Sequence, residues 1–331
     1  MKRYITSDDF KDILIKGMQR GWSFVFSKIH FSGKRRTITA FDNSRAHSSN
    51  FWDIPYVKKR WNRLLSGNDK VDIVDFFKDN LLKGKSGLKL LSLGSGTCDT
   101  EIKLAKCDIF KSILCVDLSK DSIRQARNEI AQENLKNIDV VCTDIYKFDF
   151  NDAAFDVVLF KSALHHFKNI EHLLLEKVSP NMSENGLLII DEYVGPNRLQ
   201  YSKKQILAIN KGIQLIPKKF RKIHKTPFYK NRISGSGVIR MKLSDPSECI
   251  DSESILPTIH KMFIPLIEKP MGSNILMYAL KDIAQHFYTI NSEKKEILDA
   301  LFALEDDFLI HNPSDIIFGV YKLNNTAKKV A

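Results

Sequence analysis

Residues 88–98 read LKLLSLGSGTC, an apolar run that opens into Gly94, Ser95 and Gly96, and Asp117 follows twenty-one positions after Gly96. Glycines directly after a buried strand let backbone N–H groups approach a polar ligand with no Cβ in the way. An acidic residue about twenty positions on, at the tip of the next strand, accepts hydrogen bonds from a ribose diol. Cys115-Val116-Asp117 ends such a strand, so the pair implies a nucleoside-bearing cofactor. A second constellation can move protons: His165-His166 after the run FDVVLF, and Glu192-Tyr193 after the run ending at Ile190. Adjacent histidines diverge, and with no carboxylate or cysteine completing a ligand pattern here, no metal is expected.

These residues need elements to hold them. Apolar runs at 113–116, 138–142, 155–160 and 186–190 follow the first strand, and each delivers polar residues at its end. Helical spacing covers 100–106, 121–134 and 170–178 between them. Strands alternating with helices predict an α/β fold, a parallel sheet covered on both faces. Ligands in such sheets bind beyond the carboxyl ends of the strands, where Gly94, Asp117, Asp144 and His166 fall. Helical spacing also predicts 9–19, 52–64 with Asn50 as N-cap, 202–215 capped by Ser202 and stopped by Pro217, 276–288 and 294–309. Residues 262–267 and 316–322 read as further strands, and 217–250, with Pro227, Gly235, Gly237 and Pro246, as an irregular lid. Trp22, Phe24, Phe26, Ile29 and Phe31 form an aromatic stretch that is expected to pack rather than to meet a substrate.

With its motifs in order, the chain resembles the class I S-adenosylmethionine-dependent methyltransferases, in their small-molecule branch. LLSLGSGTC is similar to their first motif, LCVDLS to the second, CTDIYKFDF to the segment that holds the adenine, and FDVVLFKSALHHF to the motif after strand four. The stretches NFWDIPYVKKRWNRL, DEYVGPNRLQYS and SDPSECIDSESILP look like a branch with an N-terminal extension and an insertion after strand five. The resemblance implies a Rossmann-like seven-stranded sheet with an antiparallel last strand, a helical N-terminal extension and an inserted lid. It implies S-adenosyl-L-methionine as cofactor, held by Ser92, Gly94, Ser95, Gly96, Asp117, Leu118, Asp144, Ile145 and Lys161. His165, His166, Glu192 and Tyr193 become catalytic candidates, and Arg198 and Tyr201 acceptor-binding candidates. Arg198, in GPNR, has a fork that suits a carboxylate or phosphate. Two positions depart from the family. It usually carries Asp or Glu where this chain has Ser92, and Gly where it has Cys98, so the carboxylate that helps hold the methionine end is missing from its usual place. A nicotinamide-binding Rossmann enzyme, the competing reading, wants a third glycine where Asp99 stands and gives no reason for the later motifs.

Length and charge complete the expectations. A chain of 331 residues is long for one such sheet. The expected division is an N-terminal extension over 1–70, a cofactor core over 71–197, a lid over 198–254, the rest of the sheet over 255–323 and a tail over 324–331. Residues 1–65 hold fourteen Lys and Arg against five Asp and Glu, and 198–242 hold thirteen with no acid, although the whole chain is only +12. Such a concentrated field steers anionic ligands. No run approaches the roughly twenty apolar residues that span a bilayer, and five unpaired-looking cysteines suit a reducing, cytoplasmic compartment. Three classes follow: an enzyme methylating a small or peptide-like, anionic acceptor, most simply on a hydroxyl or carboxylate oxygen in natural-product or modified-peptide biosynthesis; an RNA or protein methyltransferase using the basic lid; or a binding module that kept the sheet. KSALHH lacks the Pro-Pro-aromatic clamp for a flipped base, which argues against base methylation.

Overall fold

The computed structural model describes residues 2–27, 36–37, 49–150 and 154–324. Its strands are β1 Leu88–Leu93, β2 Phe110–Asp117, β3 Ile138–Cys142, β4 Phe155–Lys161, β5 Met182–Tyr193, β6 Phe263–Gly272 and β7 Ile316–Leu323. Its longer helices are α1 Ser7–Arg20, α2 Trp22–Ser27, α3 Pro55–Ser66, α4 Asp99–Ala105, α5 Lys120–Gln132, α6 Lys203–Leu215, α7 Val238–Ser244, α8 Ile255–Met262 and α9 Ser292–Leu309. The strands form one seven-stranded sheet in the order β3-β2-β1-β4-β5-β7-β6. Strands β1 to β5 pair in parallel. β7 runs antiparallel to β6: Asn324 N donates to Met262 O at 3.1 Å, while Gly272 N at the other end of β6 reaches Ser314 Oγ at 2.8 Å. This is the expected α/β, methyltransferase-type sheet with a reversed last strand.

The chain divides into two compact units. One, the sheet unit, comprises residues 71–194, 249–269 and 317 onward. Its core is built by residues that alternate across β1, β4 and β5, with Leu91, Leu93, Val158, Phe160, Leu188 and Ile190 all sealed from solvent. Burial on both faces explains why these strands read as continuous apolar runs. α8 closes the same core with Ile255, Ile259 and Met262. The periodicity around 255–262 was too short beside its Pro257 to announce that helix.

The other unit comprises residues 1–70, 195–248 and 270–316. Residues 255–323 were expected with the sheet; 270–316 of them group with the N-terminal segment. The reason is a buried carboxylate. Glu305 on α9 accepts from Ser273 N, Ile275 N and Leu276 N at 2.8–3.0 Å. Arg60 of α3 lies 3.8 Å from Glu305 and 2.5 Å from Asp306. Gly212 of α6 lets Ile275 and Leu301 approach where a Cβ would crowd them.

Several local expectations shift for identifiable reasons. α3 begins at Pro55 rather than Trp52, because proline suits the first turn and cannot continue one, and it ends on Gly67 at φ 83°. Asn50 heads a separate short turn over 51–53. Ser202 caps α6 as expected, accepting from Gln205 N. The 217–250 stretch is not wholly irregular, since Val238 and Met241 anchor α7. The 276–288 helix stops at Leu280, and Asp282 turns the chain at φ 64°. The aromatic stretch does not pack throughout: Trp22 and Phe26 are 50% and 64% exposed, and Ile29 and Phe31 lie outside the described residues.

One buried acid in this unit sets a pH dependence. Asp315 is nearly sealed, and burial lifts its carboxyl to about 7, against a lowering hydrogen bond from Gln205 Nε2 at 2.6 Å. A folded-state value above the unfolded one means that the folded chain holds a proton the unfolded chain releases. Stability is therefore full below about pH 4 and falls as pH rises through 7, by up to about 4 kcal/mol. Asp315→Asn should raise the melting temperature at about pH 8.5 and change it little at about pH 5, as thermal unfolding at both values would show.

Candidate active site

The turn after β1 is shaped by backbone geometry. Gly94 and Gly96 sit at φ 72° and 57°, and a Cβ on Gly94 would lie 2.6 Å from the Ala163 Cβ. Around Gly96 a Cβ would meet nothing within 4 Å, so the loop is open on that side. Cys98, where glycine is usual, holds the left-handed conformation at φ 59° and is fully buried. Its thiol lies 3.3 Å from Ser95 Oγ, which anchors the strained residue.

Asp117 closes this turn from β2. Its Oδ2 accepts from Gly96 N at 2.8 Å and its Oδ1 from Ser119 N at 2.7 Å. Burial pushes its carboxyl up, and the amide donors of Ser119, Gly96 and Leu118 pull it part of the way back. Two amides use one lone pair on each oxygen, and the second pairs can accept a vicinal diol. Asp144, at the end of β3, accepts from Tyr146 N and starts a short turn whose Ile145 is buried in the core. Leu118 is half-buried beside Asp117.

The carboxylate absent at position 92 is supplied nine residues on, from the helix after the glycine turn. Ser92 Oγ donates to Glu101 Oε1 at 2.7 Å, and both residues are buried. Glu101 lies in the first turn of α4, where the helix dipole favours an anion. Burial raises its carboxyl, against the Ser92 hydrogen bond and the charge of Lys161. Lys161, at the end of β4, also acts on Asp191, its register partner on β5, whose carboxyl burial likewise raises. Two desolvated carboxyls around one lysine suit a ligand carrying an ammonium, which would favour their charged forms. Sequence reading missed Glu101. Its signal was a glutamate facing inward on a helix directly after the glycine turn.

Glu192 organises the turn after β4. Its Oε1 accepts from Ala163 N and Leu164 N at 2.5 and 2.6 Å, and its Oε2 meets His165 Nδ1 at 2.7 Å. The carboxylate is fully buried, and Ser162, at φ 52°, makes the sharp bend it stabilises. With Nδ1–H donated to Glu192, the imidazole lone pair falls on Nε2. His166 follows with its ring 4.3 Å from that of His165, and Tyr193, also buried, meets His165 edge-on at 6.2 Å.

Arg198 and Tyr201 belong to the other unit. Arg198 donates from Nη1 to Glu248 O and from Nη2 to Pro246 O at 2.9 and 2.7 Å. The fork expected to take an acceptor anion thus braces a main-chain turn. Tyr201 is buried against Tyr278, ring to ring at 5.2 Å.

The methyltransferase-domain family matches residues 84–258, more than half of the chain. The chain belongs to that family. It is a methyltransferase that uses S-adenosylmethionine, with the motifs of the carboxyl edge inside the matched span. Among solved structures it is similar to the [4+2]-cyclase SpnF, at 14% identity over 80% of each chain and a TM-score of 0.44. It is similar to the plantazolicin methyltransferase BpumL in complex with SAH, at 17% identity over 96% of this chain and 100% of that one, TM-score 0.41. The YcgJ protein from Bacillus subtilis aligns at 14% identity over 74% of this methyltransferase and 92% of that chain, TM-score 0.39. No curated protein matches it.

The residues present suit the cofactor: an open glycine turn, an acid at the tip of β2 and buried anions beside the turn. Asp117→Ala should weaken S-adenosylhomocysteine binding by about 2–3 kcal/mol, roughly a hundredfold, in calorimetric titration. Because burial raises Asp117, binding is full above that raised value and declines as pH falls through it, starting at higher pH than for an ordinary carboxylate. Glu101→Gln should weaken S-adenosylhomocysteine about tenfold yet leave 5′-methylthioadenosine, which lacks the amino-acid end, unchanged. Equal losses for both ligands would make Glu101 a purely structural acid.

Proposed function

We propose that this methyltransferase transfers a methyl group to a hydroxyl oxygen of a small or peptide-like, anionic acceptor, in natural-product or modified-peptide biosynthesis. The observation that carries the reading is the Glu192–His165 pair, a base with its orienting carboxylate at the end of β5. When bound, S-adenosylmethionine supplies an electrophilic methyl carbon that an acceptor attacks in line. A carboxylate acceptor needs no base, whereas a hydroxyl must lose a proton as it attacks, and a fixed imidazole favours the second. His165 Nε2 takes that proton in this reading. Glu192 holds the ring and the tautomer and stabilises the imidazolium that forms, while two backbone amides keep the carboxylate in place. His166 and Tyr193 line the approach.

Cofactor contacts in this reading come from Gly94, Ser95 and Gly96 along the turn, Asp117 with Leu118 at the ribose, Asp144 and Ile145 at the adenine, and Glu101, held by Ser92 and balanced by Lys161, at the amino-acid end. The anionic acceptor is supported by the acid-free stretch 198–242. Arg198 contributes there by bracing the 246–248 turn rather than through a direct contact, and Tyr201 by filling the unit behind it.

A mass-spectrometric screen of hydroxylated and carboxylated acceptors with labelled cofactor tests the class. On the acceptor so found, His165→Ala and Glu192→Gln should each lower kcat by about 10²–10⁴ with S-adenosylhomocysteine affinity unchanged, and His165→Ala should lose the acid limb of the kcat profile. Near-native turnover of both variants from about pH 6 to 9 would transfer the proposal to a carboxylate acceptor. The polyanion alternative, an RNA or a protein, rests on the same basic stretch. It predicts filter binding of random RNA with a steep salt slope; weak, salt-insensitive binding would leave the small acceptor.

A further inference from the structure

α1 is an amphipathic helix packed inside out. Its acids face its own unit: Asp8, Asp9 and Asp12 have side chains only 15%, 7% and 18% exposed. Asp8 Oδ2 accepts from Ser234 N and Gly235 N at 2.5 and 2.9 Å. Asp9 takes Gly237 N and Arg240 Nε, at 2.8 and 2.9 Å. Asp12 pairs with Arg240 and Lys281 at 3.2 and 3.5 Å. On the opposite arc, Phe10, Ile13, Leu14 and Met18 stand 40–68% exposed. The row continues past the break at Gly21, because Trp22 folds back over Gly17, where a Cβ would sit 3.1 Å from its ring, and Phe26 lies one turn on. Tyr4 and Ile5, just before the helix, are more than 60% exposed as well.

A patch of this kind marks a surface that meets something other than water. Three observations select the occupant. The exposed row is rich in aromatic residues, which favour the boundary between lipid headgroups and acyl chains. Every acid of α1 is turned inward and paired, while Lys2 and Lys11 reach solvent, Lys11 also lying 3.7 Å from Asp8, so the outward face carries no acid. The unit that carries it holds 31 Lys and Arg against 16 Asp and Glu. A second copy would bring like charges together; an anionic bilayer neutralises them. We propose that the outer face of α1 and α2 docks this methyltransferase on an anionic membrane surface, lying in the headgroup plane without crossing it.

Flotation of the full chain with vesicles tests this. At low salt it should float with phosphatidylcholine vesicles containing about one-third phosphatidylglycerol, and about tenfold less with phosphatidylcholine alone. Phe10→Ser with Trp22→Ser should cut flotation on anionic vesicles about tenfold. Lys11→Glu should cut it by a smaller factor. Far-UV circular dichroism and S-adenosylhomocysteine affinity should match the parent in all of them. Absence of flotation at low salt, equal flotation on both vesicles, or flotation untouched by the double substitution would overturn the proposal. So would a lipid-free dimer in analytical ultracentrifugation that the double substitution dissociates, since that outcome assigns the face to a second copy.

Discussion

At the carboxyl edge of a parallel sheet the chain must turn, and the amides of those turns have no neighbouring strand to receive them. An unpaired buried amide loses about as much as a hydrogen bond is worth, so each turn needs an acceptor of its own. Here the acceptors are carboxylates. Asp117 receives Gly96 N and Ser119 N, Asp144 receives Tyr146 N, and Glu192 receives Ala163 N and Leu164 N. The same solution recurs in the other unit, where Glu305 gathers three amides after β6. The anions that shape the turns after β2, β3 and β4 therefore sit at the carboxyl edge of the sheet, where sheets of this kind bind ligands.

That placement has an electrostatic consequence. Glu101, Asp117 and Asp191 are all held above the ordinary carboxylate range by burial, with Lys161 offsetting part of the effect at Glu101 and Asp191. A group in this condition gains more from an incoming cation than a solvated carboxylate would, because the cation replaces solvation that folding removed. The arrangement is least comfortable without ligand and most comfortable with an ammonium-bearing one. Cofactor binding should relieve it.

The sheet, its order of motifs and the acids at strand tips were legible because each is local: a run of apolar residues, a glycine pair, an acid at a fixed distance. What escaped the sequence depends on pairings across elements. Glu101 looked like any helical glutamate until Ser92 was placed 2.7 Å from it. The bracing of Arg198 against Pro246 O and Glu248 O had no local signal either. The grouping of 270–316 with the N-terminal segment depends on Arg60 meeting Glu305 and Asp306, more than two hundred residues further along the chain.

α1 shows the same limit most sharply. Its spacing of apolar residues was read correctly as a helix, and the usual rule would turn that apolar face inward. The rule fails because the surface it packs against offers Arg240, Lys281 and the amides of 234–237, and three aspartates satisfy those donors where phenylalanine and leucine would leave them unpaired. Desolvating a guanidinium or an ammonium without a partner is worse than leaving several apolar side chains in water. The polar face thus wins the interior by the larger energy, and the apolar face is exposed as the consequence. Amphipathic spacing fixes that a helix has two faces; which of them points inward is fixed by the partner surface.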